Sequence, residues 1–394
     1  MTVERKTGLF SAEAVPRSGA GALPTGVLPV QAIREMLRQR EIQALPEVEA
    51  DQLQPASLDL RLGKTAWRVR ASFLPGPNAT VMLRVEQLDG YPIDLGSGAV
   101  LERGCVYVVP LLEGLALKSA ITGFANPKST TGRLDILTRL ITDRSGAFDL
   151  VAPGYAGPLY AEITPRTFSI VVRPGQRLNQ LRFRRGSPIV ALGELQRLHE
   201  EGALVKGDGA EPALREKLVP VTIDLQGGDL LGGERGTLIG FRAKKHTDRI
   251  DLDRIGYYDP LDFWEPLQRH REPSLVLDPD DFYILATRES VRIPPDLAAE
   301  MVAYDTAVGE FRVHYAGFFD PGFGWGEGAD SKAVLEVRSH EVPFMLEHGQ
   351  TIGWLRYERM AGRPDRLYGA GMKSTYQGQG LMLAKQFRPL APSG

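Results

Sequence analysis

The two halves of the chain echo each other, and this limits what it can fold into. The segment GCVYVVPLLEGLALKSAITGFANPKSTTGR is answered by DDFYILATRESVRIPPDLAAEMVAYDTAVGE, with Tyr107 falling on Tyr283, 176 residues on. Further along, GPLYAEITPRTFSIVVRPGQRLNQLRF is answered by SKAVLEVRSHEVPFMLEHGQTIGWLRY. Here Glu162 falls on Glu336, and Gly175-Gln176 on Gly349-Gln350, each 174 residues on. ASLDLRLG likewise echoes VTIDLQGG. A period this long points to two tandem copies of one domain, because stacked solenoid units repeat every ~20–50 residues. The division is a flexible N-terminal tail at 1–22, a first copy at 23–198, a linker at 199–217 and a second copy at 218–394. The linker reading rests on HEEGALVKGDGAEPALREKL, which is charged, glycine-bearing and poorly periodic.

Within each copy the apolar segments are short and alternate, and 43 glycines and 28 prolines favour turns over long helices. Tyr160, Glu162 and Thr164 share one face of a strand, with Leu159, Ala161 and Ile163 on the other. VQAIREMLRQREI is the clear helix, with Val30, Ile33, Met36 and Leu37 in one stripe behind Pro29. A second short helix is expected from Asp296 to Ala303, after Pro294-Pro295. The expected fold is mainly β: two tandem β-barrel or jelly-roll domains with few short helices.

With a net charge of −2, no global basic field recruits a nucleic acid polymer. The single Cys105 excludes an intrachain disulfide and fits a reducing cytoplasm. No apolar run approaches the ~18 residues of a membrane span. A soluble cytoplasmic protein without a membrane partner is expected.

The chemistry concentrates between Asn126 and Glu162. In NPKSTTGR, Lys128, Ser129 and Thr130 form a small polar loop suited to phosphate oxygens, and Arg133 offers a forked donor. Glu162 is a carboxylate on an otherwise apolar strand, costly to bury without a partner. Near the C-terminus, KSTYQGQG supplies Lys373, Tyr376, Gln377 and Gln379, with Gly378 allowing close backbone approach.

These segments resemble the dCTP deaminase branch of the dUTPase-like superfamily. QPASLDLRLG (Gln54 to Gly63) is similar to that family's Q-P-A-S-V-D-L-R-L-G nearly residue for residue. NPKSTTGR resembles its R-S-S-x-x-x-R segment, with Lys128 where the family has Arg. LYAEI resembles the strand carrying its water-activating Glu, and KSTYQGQG the tail that closes over the nucleotide. The resemblance implies that Glu162, Ser129 and Arg133 are catalytic. It implies that Lys128, Thr130, Tyr155, Gln176, Tyr368, Lys373, Tyr376, Gln377 and Gln379 bind substrate or phosphate. The second copy has Asp305 and Gly309 at the positions of Ser129 and Arg133, which marks the first copy as the chemical one. It keeps FFDPGF around Asp320, where the first copy has LVAPGY with Ala152, preceded by the extra residues DRSGAFD.

The implied reaction is hydrolysis of dCTP to dUTP and ammonia. One cysteine and scattered histidines cannot supply the zinc set of other cytosine deaminases, so the expectation is a zinc-free mechanism with Mg²⁺ arriving on the triphosphate. Glu162 takes a proton from the attacking water and returns protons to N3 and the departing amine. A composite site is also expected, with chemistry from the first copy and a lid from the second. Alternatives are a dUTPase or bifunctional enzyme giving dUMP, and a non-catalytic nucleotide-binding module. The resemblance further implies a homo-oligomer.

Overall fold

The computed structural model describes residues 24–207, 214–227, 237–302, 311–314 (backbone alone), 317–326, 329–339, 341–369 and 376–390. The chain is mainly β, in small sheets that are antiparallel apart from one parallel strand pairing. In the first half, Tyr91–Asp94, Thr65–Val69, Val106–Ala116, Ala156–Pro165 and Ile136–Thr142 lie side by side in that order, and Ile42–Ala44 also pairs with Val106–Ala116. The second half repeats the order with Trp264–Gln268, Leu238–Ala243, Tyr283–Val291, Ser331–Ser339 and Phe311–His314, and Val205–Lys206 also pairs with Tyr283–Val291. Glu162 stands opposite Val108 and Arg139, and Glu336 stands opposite Ile284 and His314.

Each half adds a second sheet, with Asn179–Arg185 beside Ile121–Pro127 in the first and Thr351–Arg359 beside Leu297–Val302 in the second. Alternation explains why these segments are strands: along Ile121–Pro127 every second residue is buried. Leu181 and Phe183 from one sheet meet Val109, Ala161 and Ile163 from the other in a single core. Val221, Leu355 and Tyr357 meet Leu285, Leu335 and Val337 in the other half. The helix expected behind Pro29 spans Val30–Arg38 and buries Val30, Ile33 and Met36, with Leu37 half-buried against the same core.

Two expectations change. Within the stretch expected to be a helix, Leu297–Val302 is a strand paired along its length with Thr351–Arg359, and tertiary pairing outweighs the helix propensity of its alanines, while Ala303 lies outside the described residues. The region read as a linker is also partly structured. A helix at Leu192–Glu200 runs into it, Val205–Lys206 pairs with Tyr283–Val291, and Leu195, Leu204 and Val205 enter the second core. This helix and strand precede the second core as Val30–Arg38 and Ile42–Ala44 precede the first. The N-terminal tail, together with Asp305 and Gly309, lies outside the described residues.

The halves are not independent. Ile250–Asp251 pairs in parallel with Ile170–Val172, and Trp264, Phe282, Leu383 and Phe387 belong to the first core. Arg182 reaches Asp320 at 3.1 Å, and Arg184 reaches Glu300 at 2.8 Å and Glu358 at 2.7 Å.

Candidate active site

The site begins where Ile121–Pro127 ends. Pro127 closes the strand, and Ser129–Gly132 forms a single helical turn, with Gly132 N–H donating to Lys128 C=O at 3.0 Å. This tight turn leaves Ser129 exposed and swings Arg133 inward, to 2% exposure. The C-terminal segment of the second half receives that side chain. Arg133 Nη2 donates to Gln379 Oε1 at 2.8 Å and Nη1 to the Met382 carbonyl at 3.0 Å, with the guanidinium 3.9 Å over the Tyr376 ring. The Tyr376 hydroxyl is 2.6 Å from Thr130 Oγ1. Arg133 Nε is buried without an acceptor, so a forked donor retains one unspent N–H.

The carboxyl that senses Arg133 is Glu336, from the second half. It sits on Ser331–Ser339 at 6% exposure. Burial pushes its pKa up to about 8, against the pull of the Arg133 charge and with a further push from Asp135. Among the described residues no side-chain hydrogen bond to its carboxyl is present, and Arg133 acts on it through its charge alone. The tail is stitched to the same strand. Gln379 Nε2 donates to the Lys332 carbonyl at 3.1 Å, Lys332 N–H donates to the Gln379 carbonyl at 2.9 Å, and Gly378 N–H donates to Ser331 Oγ at 2.8 Å. Gln379 therefore connects Arg133 to the strand carrying Glu336.

Glu162 is not brought to Arg133 or Ser129; among the described residues no hydrogen bond or ion pair joins them. The reason is Arg139, its cross-strand neighbour, which donates to Glu162 Oε1 from Nε at 3.1 Å and from Nη2 at 2.5 Å. Arg139 also donates to Ser72 Oγ at 2.9 Å and stacks 3.6 Å over Phe148. Phe148 comes from DRSGAFD, so the extra residues of the first half cover its own glutamate. Asp149 from the same segment is held near the pair, its pKa pushed by burial to about 7. Arg139 was missed in the sequence, although its place on a strand adjacent to Glu162 was a usable signal.

The remaining expected residues divide. Lys128 forms an ion pair with buried Asp59. Beside them opens a cleft of about 500 Å³, lined also by Thr130, Gln176, Arg177 and Lys385. Gln176 faces that cleft but is engaged, donating to Asp253 Oδ1 at 2.7 Å and accepting from Arg173 N–H at 3.0 Å. Tyr155 braces its own hairpin, donating to the Pro158 carbonyl at 2.6 Å, and burial raises its pKa to about 12. Tyr368 packs on Phe323 with ring centroids 5.6 Å apart, its hydroxyl pKa raised by burial. Gln377 sits against the Asp320 hairpin, spanning Gly324 N–H at 3.5 Å and the Gly322 carbonyl at 3.4 Å. Gly322 is required there: at φ +99, a Cβ would lie 2.9 Å from the Tyr368 backbone. Asp320 is buried on Arg182, with its pKa raised by desolvation against the Arg182 charge. Lys373 lies outside the described residues. Among the described residues no group of three or more His, Cys, Asp or Glu converges as metal ligands, and no helix is long and apolar enough to cross a membrane.

Residues 24–187 match the family described as 2'-deoxycytidine 5'-triphosphate deaminase (DCD) N-terminal domain, and residues 192–387 match its C-terminal domain. A solved structure titled as the 2'-deoxycytidine 5'-triphosphate deaminase from Agrobacterium tumefaciens is 52% identical, with a TM-score of 0.80, covering 87% of this chain and 100% of that one. The "dCTP deaminase, dUMP-forming" of Beutenbergia cavernae is 31% identical over 149 residues, 36% of this chain and 74% of that protein. The "dCTP deaminase" of Natronomonas pharaonis is 36% identical over 110 residues, 27% of this chain and 53% of that protein. The chain belongs to the dCTP deaminase family of enzymes.

Proposed function

We propose that the chain hydrolyses the 4-amino group of dCTP, giving dUTP and ammonia, in a site assembled from both halves. The observation that carries this reading is the buried Glu336 carboxyl in the field of Arg133, whose guanidinium is oriented by Gln379, Met382 and Tyr376. In this reading Glu336 takes the part that the sequence resemblance assigns to Glu162. Its carboxylate removes a proton from water attacking C4, then delivers protons to N3 and to the leaving amine. Arg133, through its unspent Nε–H, and Ser129 orient the water and the base edge. Lys128 and Thr130 face the phosphates, and Mg²⁺ arrives with the triphosphate on phosphate oxygens and water. The segment from Tyr376 to Gln379 positions Arg133 as well as closing the site.

The test compares E336Q with E162Q in a dCTP and Mg²⁺ assay that resolves nucleotides and measures ammonia. E336Q should lose deamination by about 10³-fold or more, on the scale of a removed acid–base group. E162Q should stay near the parent rate. The reverse ranking would overturn the assignment. A second reading, dCTP to dUMP, draws support from the relatives named dUMP-forming. The same chromatogram decides it: dUTP alone, or dUMP with pyrophosphate.

A further inference from the structure

We propose that the buried ion pair between Asp135 and Arg338 positions Glu336, holding its carboxyl against Arg133 across the junction of the halves. This rests on the reading that Glu336 is the acid–base group. Arg133 and Asp135 flank Leu134 on one turn of the first half, while Glu336 and Arg338 alternate on one strand of the second and share a face. Cation and anion are thus ordered oppositely on the two sides: the Glu336 carboxyl lies within the field of Arg133, and Asp135 forms an ion pair with Arg338. The Asp135–Arg338 pair is tightly bonded. Arg338 Nη2 donates to Asp135 Oδ2 and, at 2.8 Å, to Thr167 Oγ1, and its Nη1 donates to the Asp280 carbonyl at 2.6 Å. Thr167 Oγ1 in turn donates to Asp135 Oδ2 at 2.5 Å, and Arg166 N–H donates to the Asp135 carbonyl at 2.9 Å.

Asp135 is fully buried and holds φ +55, a left-handed backbone that, after glycine, Asp and Asn adopt most readily. A buried ion pair is weak as a stabiliser and best attested as a registry device. Registry is what Glu336 needs two residues away. The corresponding position in the first half is Thr164, two residues after Glu162, so the half without this latch is also the half whose glutamate is held by Arg139.

The experiment measures kcat and KM for dCTP in D135N and R338K, alone and in the E336Q background, with melting curves as a fold control. D135G is the second Asp135 variant, because glycine adopts the left-handed backbone without strain. Each single variant should lower kcat by about 10²-fold, the scale of a 1 Å misplacement, with KM unchanged. Neither should add a further loss once Glu336 is Gln. Unchanged kcat, a parallel change in KM, or an additive loss on E336Q would each overturn the proposal. So would the loss of a native melting transition in both Asp135 variants, because the pair would then be merely structural. If E336Q itself deaminates normally, the catalytic reading has failed. If E336Q is inactive while D135N is normal, only the positioning role has failed.

Discussion

Glu162 and Glu336 hold the same register in the two halves, yet they differ in what stands around them. Arg139 faces Glu162 and takes one of its oxygens with both Nε and Nη2, whereas Glu336 has no such partner among the described residues and its pKa rises to about 8. A buried carboxyl with no ion-pair partner is pushed by desolvation toward its protonated form and can carry a proton near neutral pH. R139M should therefore destabilise the fold by about 3 kcal/mol, because it strands a buried charge. The double variant R139M/E162Q should recover most of that loss in chemical denaturation, and both variants should keep the parent kcat. If R139M abolished deamination in a folded protein, Arg139 and Glu162 would belong to the chemistry after all. For Glu336 as base, the carboxylate must be present in the free enzyme. kcat/KM should then rise with pH to a midpoint near 8. A profile flat from pH 6 to pH 9 would remove Glu336 from that role.

Among the elements, the C-terminal segment does the most joining. Tyr376 and Gln379 orient Arg133, and a few residues on Leu383, Ala384 and Phe387 enter the first core. Phe387 lies edge-on to Phe263 at 5.5 Å and Trp264 at 6.0 Å, so the C-terminal segment is anchored in a hydrophobic core. F387A should cost about 3 kcal/mol or more in stability and lower deamination together with it. Retained activity with lowered stability would separate the anchor from the site. The sequence made the repeat, the β class and the Val30–Arg38 helix legible, because alternation and offset are local signals. It also marked Arg133, Thr130, Tyr376 and Gln379, which do converge. It could not reveal which of the two glutamates stands in the field of Arg133, since that depends on how the two halves pack. The expected helix at Asp296 to Ala303 failed for a related reason: pairing with Thr351–Arg359 is non-local and outranks propensity.

For the whole molecule, the junction of the halves is where buried charge accumulates: Arg133 with Glu336, Asp135 with Arg338, and Arg182 and Arg184 with Asp320, Glu300 and Glu358. Such a junction makes stability depend on pH, and the sign follows from the direction of the shifts. Glu336 rises from 4.5 to about 8 on folding, and Asp149 from 3.8 to about 7. Between those limits the folded chain holds protons that the unfolded chain has released. Their contribution is therefore fully present below the unfolded values and is lost as pH climbs through the folded ones. Melting temperature should fall as pH rises from 5 to 9, opposite to the trend set by carboxylates whose pKa folding lowers, such as Asp224, Asp251 and Asp330. Those groups complete their titration below about pH 5 in both folded and unfolded chains and add little slope in this window. E336Q should flatten the fall and D149N should flatten its lower part, each read from melting curves in matched buffers. A slope identical to the parent in both variants would mean that neither carboxyl is held protonated in the folded chain. The acid–base role of Glu336 would then lose its physical basis, because a carboxylate with an ordinary pKa has little drive to take a proton from water at neutral pH.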